Sequence, residues 1–225
     1  MHAFSVVLTA LTLLKPAPAA HVPEPAAHLL VHVQRTVPVL VRPAGPELAS
    51  VTSRTQFGSE RVLSVLGRSG RWLHVTTADL PSARDGWVDG LQPGLTIATT
   101  RLSIVVHIAR RTLELMSGDR VLRSVPVGVG APSSPTPTGR FAVTDKLAGP
   151  SYSPAYGCCI LALSALQTHL PAGWHGGNRI AIHGTNVPSS IGQAVSSGCV
   201  HADDASLRYL MARVPLGTPV TILAS

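Results

Sequence analysis

"AIHGTNVPSSIGQAVSSGCVHADD", residues 181–204, carries the reading on which the rest of the chain depends. It begins at the end of "RIAIH", whose alternation of apolar and polar residues reads as a short strand stopping at His183. It ends on two aspartates able to cap a helix. Between them Cys199 follows Gly198 in a serine-rich turn, whereas a structural cysteine sits more naturally inside an apolar run. A cysteine in a bend just before a helix has backbone N–H groups and a helix dipole beside it, and both favour thiolate. A histidine at a strand end can hold its imidazole in one direction if a carbonyl or carboxylate receives the other ring N–H. Gly198 lets the chain turn sharply at the sulfur, so the N–H groups of Gly198 and Cys199 are candidates for an oxyanion hole. Nucleophile, base and electrostatic clamp are the parts of acyl transfer through a thioester. Residue chemistry alone leaves two alternatives open. Cys199 could be a small buried residue, or His183, Cys199 and His201 could be three ligands of a zinc site that lacks a fourth.

Outward from this stretch the chain reads as mainly β. Downstream, "DDASLRYLMARVPLGTPVTILA" is a helix followed by a strand. Leu207, Leu210, Met211 and Val214 share one helical face, Asp203 or Asp204 caps the start, and Pro215 and Gly217 end it. Upstream, "LSIVVHIARRTLELMSGDRVLRSVPVGVG" reads as three strands with tight turns at 109–111 and 117–119. "APSSPTPTGRFAVTD" is a proline-rich loop returning into a strand at 140–144. Its prolines at 132, 135 and 137 forbid helix or central strand, so it is expected to run extended across a surface. Nearer the N-terminus, "ERVLSVLGRSGRWLHVTT" reads as a hairpin and "ARDGWVDG" as an aromatic strand between turns. Several short strands in about seventy residues suggest a small β-barrel. The series "RVLSVLG…GRWLHV…DGWV" resembles the bacterial SH3-like domain, in which Trp72 and Trp87 are expected as core or groove residues, core being preferred because aromatics fill a small barrel.

Composition bounds the partners. The 225-residue chain carries a net charge of +7, and Lys15 and Lys146 are its only lysines among 18 cationic residues. A surface so rich in arginine suits anionic surroundings such as cell-wall polymers. The arginines are scattered, without the basic runs and interleaved aromatics of nucleic-acid modules, so no nucleic-acid partner is expected. "AFSVVLTALTLL" followed by "KPAPAAHVPEPAAH" reads as an export signal and an Ala/Pro-rich linker, too short to span a bilayer. Three cysteines make a poor disulfide framework, and the odd count leaves at least one free thiol. Cys158 and Cys159 are expected to be reduced, because a bond between sequence neighbours closes a strained eight-membered ring.

"IAIHGTNVPSSIGQAVSSGCVH" with "DDASLRYLMARVPLGTPVTI" resembles the catalytic core of the L,D-transpeptidases of the YkuD type, and "PTPTGRF", residues 135–141, matches a further motif of that family. The resemblance covers roughly residues 100–225. It implies chemistry on peptidoglycan stem peptides outside the cytoplasm, with no metal and no cofactor. Carried over by position, Cys199 is the nucleophile, His183 the general base and acid, and the Gly184 carbonyl the orienter of the imidazole. Tyr156, Ser196, Ser197 and His201 are then the candidate contacts to the stem peptide. Two positions depart from the family pattern: Ser197 stands where histidine is common, and His201 replaces an arginine able to meet a substrate carboxylate. The chain is thus expected to hold a signal and linker over 1–27, an SH3-like β domain over 28–99, and a β-rich catalytic domain with one or two short helices over 100–225. Hydrolysis by water in place of transfer to an amine, and a non-catalytic wall-binding role, are the alternatives.

Overall fold

Pleated-strand alternation governs both halves of the chain. The computed structural model describes residues 27–80 and 85–225, so the expected export signal and nearly all of the linker lie outside the described residues. The first half contributes β1 (His28–Val33), β2 (Val37–Leu40), β3 (Glu47–Val51), β4 (Val62–Ser69), β5 (Trp72–Thr76), β6 (Gly86–Asp89) and β7 (Leu95–Thr100). These form one antiparallel sheet in the order β3-β2-β6-β5-β4-β1-β7. The expected hairpin is β4–β5, turning at Gly70 with φ 57°. Its core is built mostly of valines, among them Val31, Val37, Val39, Val75 and Val88, with Leu63 and Leu73.

Trp72 and Trp87 do not fill that core. Leu73, Val75 and Val88 point inward, so strand parity sends Trp72, His74 and Trp87 to the other face. There Trp87 stacks on His74 at 4.8 Å, and the Arg71 guanidinium lies 5.2 Å from the Trp72 ring.

The second half contributes β8 (Leu102–His107), β9 (Thr112–Ser117), β10 (Arg120–Pro126), β11 (Val129–Gly130), β12 (Gly139–Ala148), β13 (Cys159–Leu166), β14 (Arg179–His183), β15 (Ala194–Ser196), β16 (Val200–His201), α1 (Asp204–Arg213) and β17 (Pro219–Leu223). Eight of these strands make a mixed sheet ordered β10-β9-β8-β17-β12-β13-β14-β16, and β11 pairs with β15 in parallel. The three-stranded meander β8–β9–β10 turns where the sequence predicts. Helix α1 is capped by the Asp203 carboxylate, which accepts the Ser206 N–H at 2.9 Å. Leu207, Leu210 and Val214 are fully buried in the core of this half, and Met211 packs at its margin.

Two expectations change here. Strand β16 intervenes between Cys199 and α1, so the cysteine does not sit at the helix start. The proline-rich loop does not simply cross a surface, because Ser134 and Thr136 are buried. Thr136 Oγ1 accepts the Gly130 N–H at 2.8 Å and donates to the Gly198 carbonyl at 2.9 Å, tying this loop to the cysteine turn.

The two sheets are joined by buried polar contacts. Ser164 Oγ lies 3.3 Å from Thr76 Oγ1 and accepts the Ala142 N–H at 3.0 Å. Thr55 Oγ1 donates to Asp145, a carboxylate with no exposed surface. Gly217 (φ 80°) closes the seam: a Cβ there would stand 2.6 Å from Val62 of β4.

Candidate active site

Strand parity and register assemble the site. Along β14, Ile180 and Ile182 face the core, leaving Arg179, Ala181 and His183 on the open face. On one side β13 pairs antiparallel with β14, setting Ile160 opposite His183. On the other β16 runs parallel to it, with His201 opposite His183 and Val200 opposite Ile182. Cys199, one residue before β16, is carried to the same face. The result is a cavity of about 400 Å³ whose lining includes Tyr156, His183, Ser196, Ser197, Cys199 and His201. All the side chains proposed from sequence for the site thus come together in one place.

The turn that holds the sulfur is tied from three directions. Ser196 Oγ donates to the Cys199 carbonyl at 2.6 Å and accepts the Gly198 N–H at 3.1 Å. Gly198 has φ 114°, and a side chain there would collide with the Gln167 amide. Gln167, itself buried, donates through Nε2 to the carbonyls of Pro135 and Ser197, both at 3.0 Å. Two expectations are corrected by this network. The Gly198 N–H is engaged by Ser196 and is not open to an oxyanion, and the Ser196 hydroxyl braces the turn internally. Gln167 and Thr136 are residues that the sequence reading missed. Thr136 carried a signal in its place between two prolines of a matched motif; Gln167 carried none.

His183 is held by the group expected to hold it. Its Nδ1 lies 2.5 Å from the Gly184 carbonyl, and because a carbonyl only accepts, Nδ1 bears the proton and Nε2 keeps its lone pair. Burial lowers the imidazole pKa to about 4; the Gly184 bond opposes the shift and His201 adds to it. The Cys199 residue is half-buried, yet protein surrounds the sulfur closely enough that burial pushes the thiol up to about 11, against a backbone hydrogen bond from Ala181. Both shifts favour thiol and neutral imidazole at neutral pH, opposite to the pull toward thiolate that a cysteine at a helix start would feel. Among the described residues the thiol donates to the Arg179 carbonyl at 4.0 Å, and no hydrogen bond joins it to the imidazole.

Two rings frame His183. Tyr156 meets it edge-on with centroids 4.8 Å apart, and its phenol is pushed up by burial and by Cys199. His201 tilts against it at 4.7 Å, places Nδ1 3.0 Å from Ser190 Oγ, and is kept uncharged at neutral pH by burial. The zinc alternative requires a ligand set, and among the described residues no three His, Cys, Asp or Glu side chains gather as one.

Cys158 and Cys159 are joined by a disulfide, against expectation, and Cys199 is the free cysteine. In a regular strand successive side chains point to opposite faces, which would keep two neighbouring sulfurs apart. Cys158 instead lies in the turn after Gly157 (φ 55°), and Cys159 opens β13. The corner lets both sulfurs face each other. The Cys158 N–H donates to Asp204 Oδ1 at 2.9 Å, fixing that corner to α1.

Fold and site together define a class: a mixed β-sheet with a carbonyl-oriented histidine at the end of one strand and a cysteine just before the adjoining one, open to one cavity. The chain belongs to the L,D-transpeptidase (YkuD) family, whose catalytic-domain model matches residues 101–222, more than half of its length. It is 33% identical over 156 residues to a Bacillus subtilis protein whose name, YkuD, places it among the L,D-transpeptidases; the match spans 66% of this chain and 87% of that one. It is 32% identical over 139 residues to ErfK/SrfK of Salmonella typhimurium, named in the same class, over 56% of this chain and 45% of the relative. The chain therefore spans less than half the length of that enterobacterial relative. A solved L,D-transpeptidase from Mycobacterium smegmatis matches 86% of this chain and 99% of its own at 17% identity, with a TM-score of 0.46.

Proposed function

We propose that this protein is a peptidoglycan L,D-transpeptidase in which Cys199 is the nucleophile and His183 the general base. The observation that carries the reading is the orientation of His183. With Nδ1–H donated to the Gly184 carbonyl, Nε2 is the free basic nitrogen, in the cavity shared with Cys199. Because thiol and imidazole both rest neutral, the proton leaves sulfur as the bond to carbon forms. Sγ attacks the carbonyl of the third stem residue, and its proton passes to Nε2. The imidazolium then protonates the departing nitrogen, and the terminal D-alanine leaves. A neighbouring stem's amine attacks the thioester, its proton returns through Nε2, and the free thiol is restored. The Cys199 N–H is the backbone donor we assign to the developing oxyanion. Tyr156, Ser197 and His201 contact the stem, and residues 28–99 serve as an SH3-like unit. The reaction belongs in the cell envelope, reached through the export signal read in residues 1–27, and the arginine-rich surface suits its anionic polymers. Among the described residues no helix is long and apolar enough to cross a membrane.

The test incubates purified protein with tetrapeptide stems and, separately, with a carbapenem. D-alanine release with cross-linked dimers, and a carbapenem adduct lost in Cys199→Ala, are expected. Trimmed tripeptides without dimers would reassign the acceptor to water. Neither product nor adduct would reject catalysis.

A further inference from the structure

A second cavity, of about 420 Å³, also reaches Cys199 and is walled in part by the first sheet's unit. Gln56 and Phe57, from the connection between β3 and β4, face Leu147, Tyr152 and Arg179 across it. Phe57 meets Tyr152 edge-on at 6.1 Å, and its ring centre lies 5.8 Å from the Arg179 guanidinium carbon. Among the described residues lining the two cavities, Arg179 is the only arginine or lysine, and it lines both.

The guanidinium is held but not neutralised by contact. Nη1 donates to Thr144 Oγ1 at 3.2 Å and to the Leu163 carbonyl at 3.4 Å, which extends the side chain across β13. Nε is buried without a partner. Among the described residues no carboxylate comes within ion-pair distance of it. Asp79 is engaged by Arg61 and Thr77, and Asp145 by Thr55. Burial also lowers the Arg179 pKa, opposed by the more distant Asp79 and Asp145. His201, two residues after Cys199, is held neutral by burial, so it does not supply a cation to this site. A partly desolvated arginine without a paired carboxylate, on a cavity that ends at the reactive sulfur, fits a ligand carboxylate.

Resting on the transpeptidase reading, we propose that Arg179, backed by Phe57 of the first unit, binds a free carboxylate of the stem peptide and so makes the N-terminal unit part of the substrate site. Two carboxylates share this chemistry, that of the terminal D-alanine and that of the third residue's side chain. The experiment compares a tetrapeptide stem ending in a diaminopimelate–D-alanine pair with two mono-amidated forms, one at each carboxylate, by D-alanine or D-alaninamide release. For the wild-type chain, amidation at the bound carboxylate lowers kcat/KM about tenfold or more, and the other amide leaves it unchanged. Arg179→Met removes that discrimination, chiefly by raising KM for the acid. Phe57→Ala, in a half-exposed connection, weakens the same discrimination. Equal kcat/KM for all three stems in the wild type would overturn the proposal while leaving the transpeptidase reading intact. So would discrimination undiminished in Phe57→Ala and Arg179→Met. No turnover of any stem, with no carbapenem adduct, would instead strike at the underlying reading.

Discussion

Burial acts in opposite directions on the two central side chains, and this fixes how the site should answer to pH. Desolvation disfavours the charged form of each, so the His183 pKa falls to about 4 while that of Cys199 rises to about 11. The base form of His183 therefore survives far below the usual histidine range and is lost only as pH falls through about 4. The kcat/KM profile for stem peptides should be flat from about pH 5.5 to neutrality, with its acid limb near 4 and not near 6.5. Alkylation by iodoacetamide should be slow at pH 7 and climb about tenfold per pH unit toward pH 10, because only thiolate reacts. An alkylation rate already on its plateau at pH 7 would show a resting ion pair and refute the neutral assignment. At this scale residue type and position nominated the proposed pair, Cys199 and His183, but left a structural cysteine and a zinc site open until the family motifs were weighed. The electrostatics were not legible, since the depth of a side chain depends on Tyr156, Gln167 and His201, which meet only in the fold.

Elements were legible wherever alternation was long enough to choose a face. The β8–β10 meander, β14 and the buried stripe of α1 follow directly from period and capping. Two-residue strands such as β11 and β16 carry too little pattern to read, and they exist because distant chain supplies their partners. Tryptophan volume suggested core where parity decided for surface. The same limit applies to the corner opening β13, where a turn brings two neighbouring sulfurs together. Thiol titration of the denatured, unreduced chain should find one reactive sulfhydryl, Cys199, and three after reduction. Three before reduction would mean that the Cys158–Cys159 bond does not form.

At the scale of the molecule, polar contacts with no sequence signature bind the two sheets into one body. Thr55 and Asp145 lie ninety residues apart and meet where the β3–β4 connection touches β12. Asp145 is wholly buried, its Oδ2 has no partner, and Thr55 supplies the hydrogen bond to the other oxygen. Removing one partner of a buried pair strands the other, whereas replacing both by apolar groups does not. Thr55→Val should thus destabilise the chain by about 1–3 kcal/mol in urea unfolding. The double variant Thr55→Val/Asp145→Leu should recover part of that loss, giving a coupling energy of about 1 kcal/mol or more between the sites. Because the same connection carries Gln56 and Phe57 to the second cavity, Thr55→Val should also raise KM for stem peptides, and the double variant should not restore it. Additive effects of the two substitutions on stability would mean that the first unit is held by its apolar seam at Gly217, Val62 and Leu30, with Asp145 contributing nothing to the join.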